Sequence, residues 1–211
     1  MEDLYLPYKQ KRKTRGDKAK EKGLEPLAQM VWDQEVINGN PDDFAKECIN
    51  KEKEVETLAD AWKGATDIVA EWINETIEVR EKLRNIFLNH STISTKKNPA
   101  VKERTNFEDY YEFSSKVDRL KAYQILAINR GEKENILFVK TEVWEERTLE
   151  TIDDIVITND MSIFTEKLQD AVEDAFKRLL SPSLERELRN ALTDQADQHA
   201  IDTFATNLGN L

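Results

Sequence analysis

The sequence predicts a mainly α-helical protein, a multi-helix, bundle-like body carrying a small β element at about residues 93–97 and 136–144. Three observations carry that prediction. Glycine and proline are scarce, 6 and 5 in 211 residues, while charged residues make up 35% and hydrophobic ones 39%. Apolar residues recur at three- and four-residue steps over long stretches. Only "ILFVKTEVW", Ile136 to Trp144, is rich enough in β-branched and aromatic residues to read clearly as a strand.

Taken in order, Met1–Lys13 has no helical period and reads as extended. Thr14 to Lys22 is a short charged helix stopped by Gly23, and Glu25–Pro26 opens another, with Leu27, Met30, Val31 and Gln34 on its inner side. "NGNPDD", Asn38 to Asp43, breaks the chain, and Asn40 or Asp42 can cap a helix through Asn50. The strongest signal runs from Thr57 to Phe87. Leu58, Ala61, Trp62, Ala65, Ile68, Val69, Trp72 and Ile73 trace one face, and Asn74 can cap a second helix continuing through Ile77, Leu83, Ile86 and Phe87. Trp62 and Trp72 read as core anchors rather than a binding platform, because large aromatics at helical spacing usually pack.

From His90 to Asn106 the pattern dissolves into a loop or short strand pair. A helix is expected over Val117 to Asn129, with Gly131 as its C-cap. "DDIVITND", Asp153 to Asp160, reads as a short strand or connector. Two final stripes follow, Leu168 to Leu180 and Leu184 to Leu208, separated by a break at Pro182. Four regions result: 1–23, a basic strap and short helix; 24–90, helical; 91–163, loop, helix and short strands; and 164–211, C-terminal helices.

The net charge of −11 argues against nonspecific nucleic-acid binding by the whole surface. Residues 1–23 nevertheless hold eight basic and four acidic residues, so the other residues carry −15. Lys9, Lys11, Arg12, Lys13 and Arg15 are the candidate nucleic-acid contacts, each able to neutralise a phosphate, with plain solvation the competing account. Tyr5 and Tyr8 can stack on bases. Their neighbours Leu4 and Leu6 favour instead a strap packed on the body. Lys96, Lys97 and Arg104 are weaker cases of the same kind.

No catalytic residue and no metal site is expected. His90 and His199 stand in no motif, and Cys48 reads as a small buried hydrophobe. One cysteine and two distant histidines cannot build a structural zinc site. No phosphate loop occurs, and the glycine of "KGATD" reads as a point of close helix approach. Acidic pairs are expected by chance among 42 Asp and Glu residues. No cofactor is expected. The single cysteine suits a reducing compartment, and without a membrane span or signal peptide the chain is expected to be soluble and cytoplasmic.

At "DLYLPYKQKRKTR" and "AKEKGLEPLA" the sequence resembles the bacterial Tex family of transcription accessory proteins, which carry "DLYLPYKPKRRT" and "KGLEPLA" at the matching place. Gln10 stands where the family has proline. "GATDIVAEWINE" (Gly64 to Glu75) is similar to "GARDIIAEWISE", "FEDYYEFS" (Phe107 to Ser114) to "FRDYFDYS", and "AYQILAINRGEKENIL" (Ala122 to Leu137) to "HRALAILRGEKEGVL". The segment from Leu184 to Leu211 resembles the one before the family's RNase H-like domain.

The resemblance implies a piece of a longer protein. It would begin midway through the helical N-terminal region, with Met1 in place of a native residue, and stop before the RNase H-like domain. In full length the family also carries helix–hairpin–helix domains and an OB-fold RNA-binding domain. The resemblance implies nucleic acid, RNA in particular, as partner of the full-length protein, a role in transcription, and no enzymatic activity in this region. The chain is then a helical scaffold. The rival reading is a protein-interaction module whose acidic body docks a basic partner of the transcription machinery, with no nucleic-acid contact of its own.

Overall fold

The computed structural model describes residues 13–209, and these divide into two compact units. Among the described residues, unit 1 combines 13–76 with 153–176, and unit 2 combines 77–152 with 177–209. The fold is mainly α with a small three-stranded antiparallel sheet.

In unit 1, α1 (Arg15–Glu21), α2 (Glu25–Asp33), α3 (Pro41–Glu47) and α8 (Thr165–Asp174) surround α4 (Leu58–Glu75). Thr14 and Thr57 build reciprocal capping boxes at the starts of α1 and α4. Thr57 Oγ1 accepts from the Asp60 amide at 3.1 Å, while Asp60 Oδ2 accepts from the Thr57 amide at 3.0 Å. Asn40 caps α3, and Gly23 at φ +84° ends the first helix, as the sequence indicates. The α4 stripe is buried, with Ala61, Ile68, Val69 and Ile73 at 1% exposure or less.

Two glycines mark close approaches. The Gly16 amide donates to Glu71 Oε1 at 2.8 Å, and a Cβ on Gly16 would fall 2.2 Å from Glu71 Oε2. Gly64 lets α4 lie against Leu24, whose Cδ1 would sit 2.2 Å from an added Cβ. Both tryptophans pack as expected. Trp62 is buried and donates from Nε1 to Asp42 at 2.8 Å, and Trp72 meets Trp32 edge-on with ring centroids 5.9 Å apart.

The boxes give a pH test. Hydrogen bonds from Thr14 and Thr57 hold the Asp17 and Asp60 carboxyls below their ordinary value of 3.8. A carboxyl whose folded pKa lies below its unfolded one stabilises the fold fully above the unfolded value. It loses that contribution as pH falls through the folded one. Asp60→Asn is therefore expected to lower the urea midpoint at neutral pH, and the deficit relative to the parent should shrink well below pH 3.8. A deficit that is the same at both pH values would show that the charge is not what matters.

In unit 2, α5 (Ile77–His90), α6 (Ala122–Lys133) and α9 (Ser181–Gly209) pack together with the sheet, whose order is β2-β1-β3. β1 (Thr92–Lys97) is central, β2 (Glu112–Lys116) and β3 (Leu137–Glu142) flank it, and both pairings are antiparallel. Ile93, Thr95 and Leu137 are buried, Leu137 lying against Gly131 of α6. Arg84 pairs with Glu187, and Arg189 pairs with Glu132 at 2.6 Å, joining α9 to α5 and to α6.

Several expectations are corrected. β2 falls where no strand is read from the sequence. α7 (Glu145–Val156) replaces the strand or connector at Asp153 to Asp160, and its buried stripe Thr148, Ile152, Val156 steps by four residues. The β-branched content of "TIDDIVIT" conceals that helical spacing. Pro182 does not break the final helix. A π-helical turn, Ala175–Leu180, precedes it and α9 begins at Ser181, so the proline stands in a first turn where its missing N–H matters least. α6 begins at Ala122, with a 3₁₀ turn over Val117–Arg119, and runs past Gly131 to Lys133. Gly131 is an interior contact, and Asn135 at φ +56° is the left-handed residue that follows. The break before α5 is Thr76 rather than Asn74, and Ile77 and Met30 are exposed. In the last stripe Leu184, Leu188, Leu192 and Ala196 are buried, whereas Ala200 and Phe204 are exposed.

Candidate nucleic-acid interface

Of the five candidate cations, Lys9, Lys11 and Arg12 lie outside the described residues, as do Leu4 to Tyr8 of the expected strap. Lys13 and Arg15 are exposed at the start of α1, where Thr14 turns the chain into the helix. Lys13 forms an ion pair with Glu21, both side chains about 60% exposed, a geometry that leaves the lysine readily exchanged to another anion. Lys20, on the same helix, lies over the Trp72 ring at 5.8 Å.

The weaker candidates fall in unit 2. Lys96 ends the open face of β1. Lys97 lies over the Tyr111 ring at 4.6 Å, and Arg104 pairs with Glu108 at 3.1 Å. Residues 91–140 hold ten basic and seven acidic side chains, a local excess of positive charge on an acidic chain. Side chains alternate across the sheet, so one face points to the helices and the other to solvent. The solvent face has three rows set by the register: Glu112–Lys96–Phe138, Ser114–Ser94–Lys140 and Lys116–Thr92–Glu142. Phe138 is 58% exposed there. Sequence reading missed this surface because β2 was not recognised, although the β3 alternation Phe138, Lys140, Glu142 is visible once β3 is treated as a half-buried strand.

The chemistry-bearing residues are dispersed. Cys48 is half-buried with its Sγ 3.7 Å from the Phe44 carbonyl oxygen, and burial pushes its thiol pKa up, which disfavours the thiolate. His90 and His199 are exposed. His199 lies at an apolar groove of about 1400 Å³ formed by α5, α6 and α9, beside Tyr123, Leu192 and Phe204. Among the described residues no group of three His, Cys, Asp or Glu side chains is placed to hold a metal ion, and no helix is long and apolar enough to cross a membrane.

The described residues thus form a mainly helical body with a small sheet and an uneven charge distribution. A family model described as Tex central region-like matches residues 37–204, and the chain belongs to that family. It is 38% identical over its whole length to an uncharacterized protein, YdcI, of Bacillus subtilis, of which it covers 30%. It is 31% identical to the transcriptional accessory protein Tex of Neisseria gonorrhoeae, covering 28% of it. It is 26% identical to the human S1 RNA-binding domain-containing protein 1, covering 22%. The chain thus spans less than a third of the length of the relatives it matches.

Proposed function

We propose that this chain is a non-enzymatic helical scaffold of a Tex-like transcription accessory protein, acting in the cytoplasm and binding RNA in its full-length form. The observation that carries the reading is the family match over 37–204, on a body whose long buried stripes provide shape and spacing. The name of the human relative refers to RNA binding, and that of the gonococcal relative to transcription. The exposed histidines and the raised Cys48 thiol support a role without covalent or acid–base chemistry. Lys9, Lys11, Arg12, Lys13 and Arg15 add a weak, salt-sensitive phosphate contact.

The test is fluorescence anisotropy of labelled single-stranded RNA and duplex DNA, at two salt concentrations, against this chain and against the full-length gonococcal relative. The relative is expected to bind RNA, and to bind it at least ten times more tightly than the chain, because most of the affinity resides in modules mounted on the scaffold. Equal affinities would make the chain itself the main binding module. No RNA binding by the full-length relative would leave the protein-docking reading, in which the acidic body holds a basic partner.

A further inference from the structure

We propose that the open face of the three-stranded sheet is a binding surface for single-stranded nucleic acid. It deepens the scaffold reading, on which it rests, by giving the body a contact of its own, separate from the N-terminal basic segment.

The argument begins with register. Antiparallel pairing puts directly opposed residues on the same side, so the nine side chains of the three rows share one surface. Seven of them are exposed: Lys96, Glu112, Ser114, Lys116, Phe138, Lys140 and Glu142. Adjacent rows are two residues apart, about 6.8 Å along the strands. Phe138 stands directly opposite Lys96 at one end. An aromatic ring 58% exposed on a strand gains only part of its burial energy within this chain, whereas its free π-face suits an unpaired base. Its neighbour Lys96 supplies positive charge where the base's phosphate would follow.

The middle row is low. Ser114 and Ser94 have short side chains, and Lys140 stands beside them on β3, so the surface has a shallow trough with hydroxyl groups on its floor. Lys116 provides a third cation at the far end. Among the described residues neither Lys96 nor Lys116 forms an ion pair, and Lys140 pairs only with exposed Glu142, at 2.9 Å. Two carboxylates, Glu112 and Glu142, occupy opposite corners, leaving the face at net +1. Lys97, the next residue on β1, alternates to the other face, opposite Leu137 and over Tyr111, so the positive charge of the open face is that of Lys96, Lys116 and Lys140. The charge favours a polyanion, and the exposed ring favours one with unstacked bases over a duplex, whose bases are already stacked.

The test uses the whole chain, ¹⁵N-labelled, titrated with an oligouridylate of about eight nucleotides, a length within the span of one small binding fold. Amide shifts are expected to cluster in the three strands. In parallel anisotropy titrations, Phe138→Ala should weaken binding about 10-fold, and Phe138→Tyr should preserve it. The triple variant Lys96→Gln, Lys116→Gln, Lys140→Gln should lower the slope of log affinity against log salt by about 2, from three single-strand phosphates. All these side chains point to solvent, so circular dichroism should be unchanged.

Binding that depends only on Lys9 to Arg15 and ignores every sheet variant would overturn the proposal while leaving the scaffold reading intact. Equal affinity for a duplex, independent of Phe138, would also overturn it. So would the absence of strand shifts at saturating RNA, or their appearance only with a protein ligand.

Discussion

Phe164→Ala is expected to destabilise unit 1 by about 3–5 kcal/mol, the usual cost of emptying a fully buried phenylalanine site. Phe164 is 0% exposed and meets two other rings edge-on, Phe44 at 5.6 Å and Trp62 at 6.1 Å between centroids. Those two pairs contribute beyond the buried area, about 0.5–1.5 kcal/mol each. The ring thus joins the start of α8 to α3 and α4, and removing it leaves a cavity among elements of different sequence origin. Against a total stability of about 5–15 kcal/mol the loss is large enough to populate unfolded chain at moderate temperature. Urea unfolding followed by tryptophan fluorescence reads it directly, since Trp62 is a neighbour. Phe164→Leu should lose much less. A loss under about 1.5 kcal/mol for the alanine variant would mean that the three-ring cluster is not a principal part of this core.

Gln34 carries the second large effect. It is the C-cap of α2, at φ +54°, and only 3% exposed. Its Nε2 donates to the Val156 carbonyl oxygen at 2.9 Å, and its Oε1 accepts from the Thr158 and Asn159 amides at 2.9 and 3.1 Å. Its own carbonyl oxygen accepts from Asn159 Nδ2 at 2.8 Å. One amide side chain therefore satisfies three backbone groups more than 120 residues away in sequence. Gln34→Leu keeps most of the volume but strands those groups, and each unsatisfied buried group costs about 1–3 kcal/mol. A total loss of about 3 kcal/mol or more is expected in urea melts, with faster amide hydrogen exchange at Thr158 and Asn159. A leucine variant as stable as the parent, with unchanged exchange, would show that water replaces the side chain at no cost.

These two residues also mark where sequence reasoning stops. Gln34 is legible as an inward position on α2, because helical spacing reports direction. Its role as a polar knot is not, because the partners belong to a segment that spacing cannot place. Phe164 lies between the readable stripes, and its burial follows from how α3, α4 and α8 converge. For the candidate interface, the basic residues Lys9 to Arg15 are visible as composition. The sheet face is invisible until β2 is paired, since a single strand's alternation does not say which neighbours complete its surface.

Local chemistry by itself determined the helical class, the caps at Thr14, Asn40 and Thr57, the stop at Gly23, the buried face of α4 and the strand at β3. Each depends on residues within a few positions of one another, whose hydrogen bonds and periodicity are decided nearby. Tertiary structure alone decided that Glu112–Lys116 is a strand, that β-branched "TIDDIV" is helical, that Pro182 follows a π turn, and that Gly131 lies against Leu137 inside a helix. In each case local preference is worth a few tenths to about one kcal/mol per residue, and burying a neighbouring apolar side chain is worth about 1.5–3 kcal/mol. Packing therefore overrode propensity wherever the two disagreed.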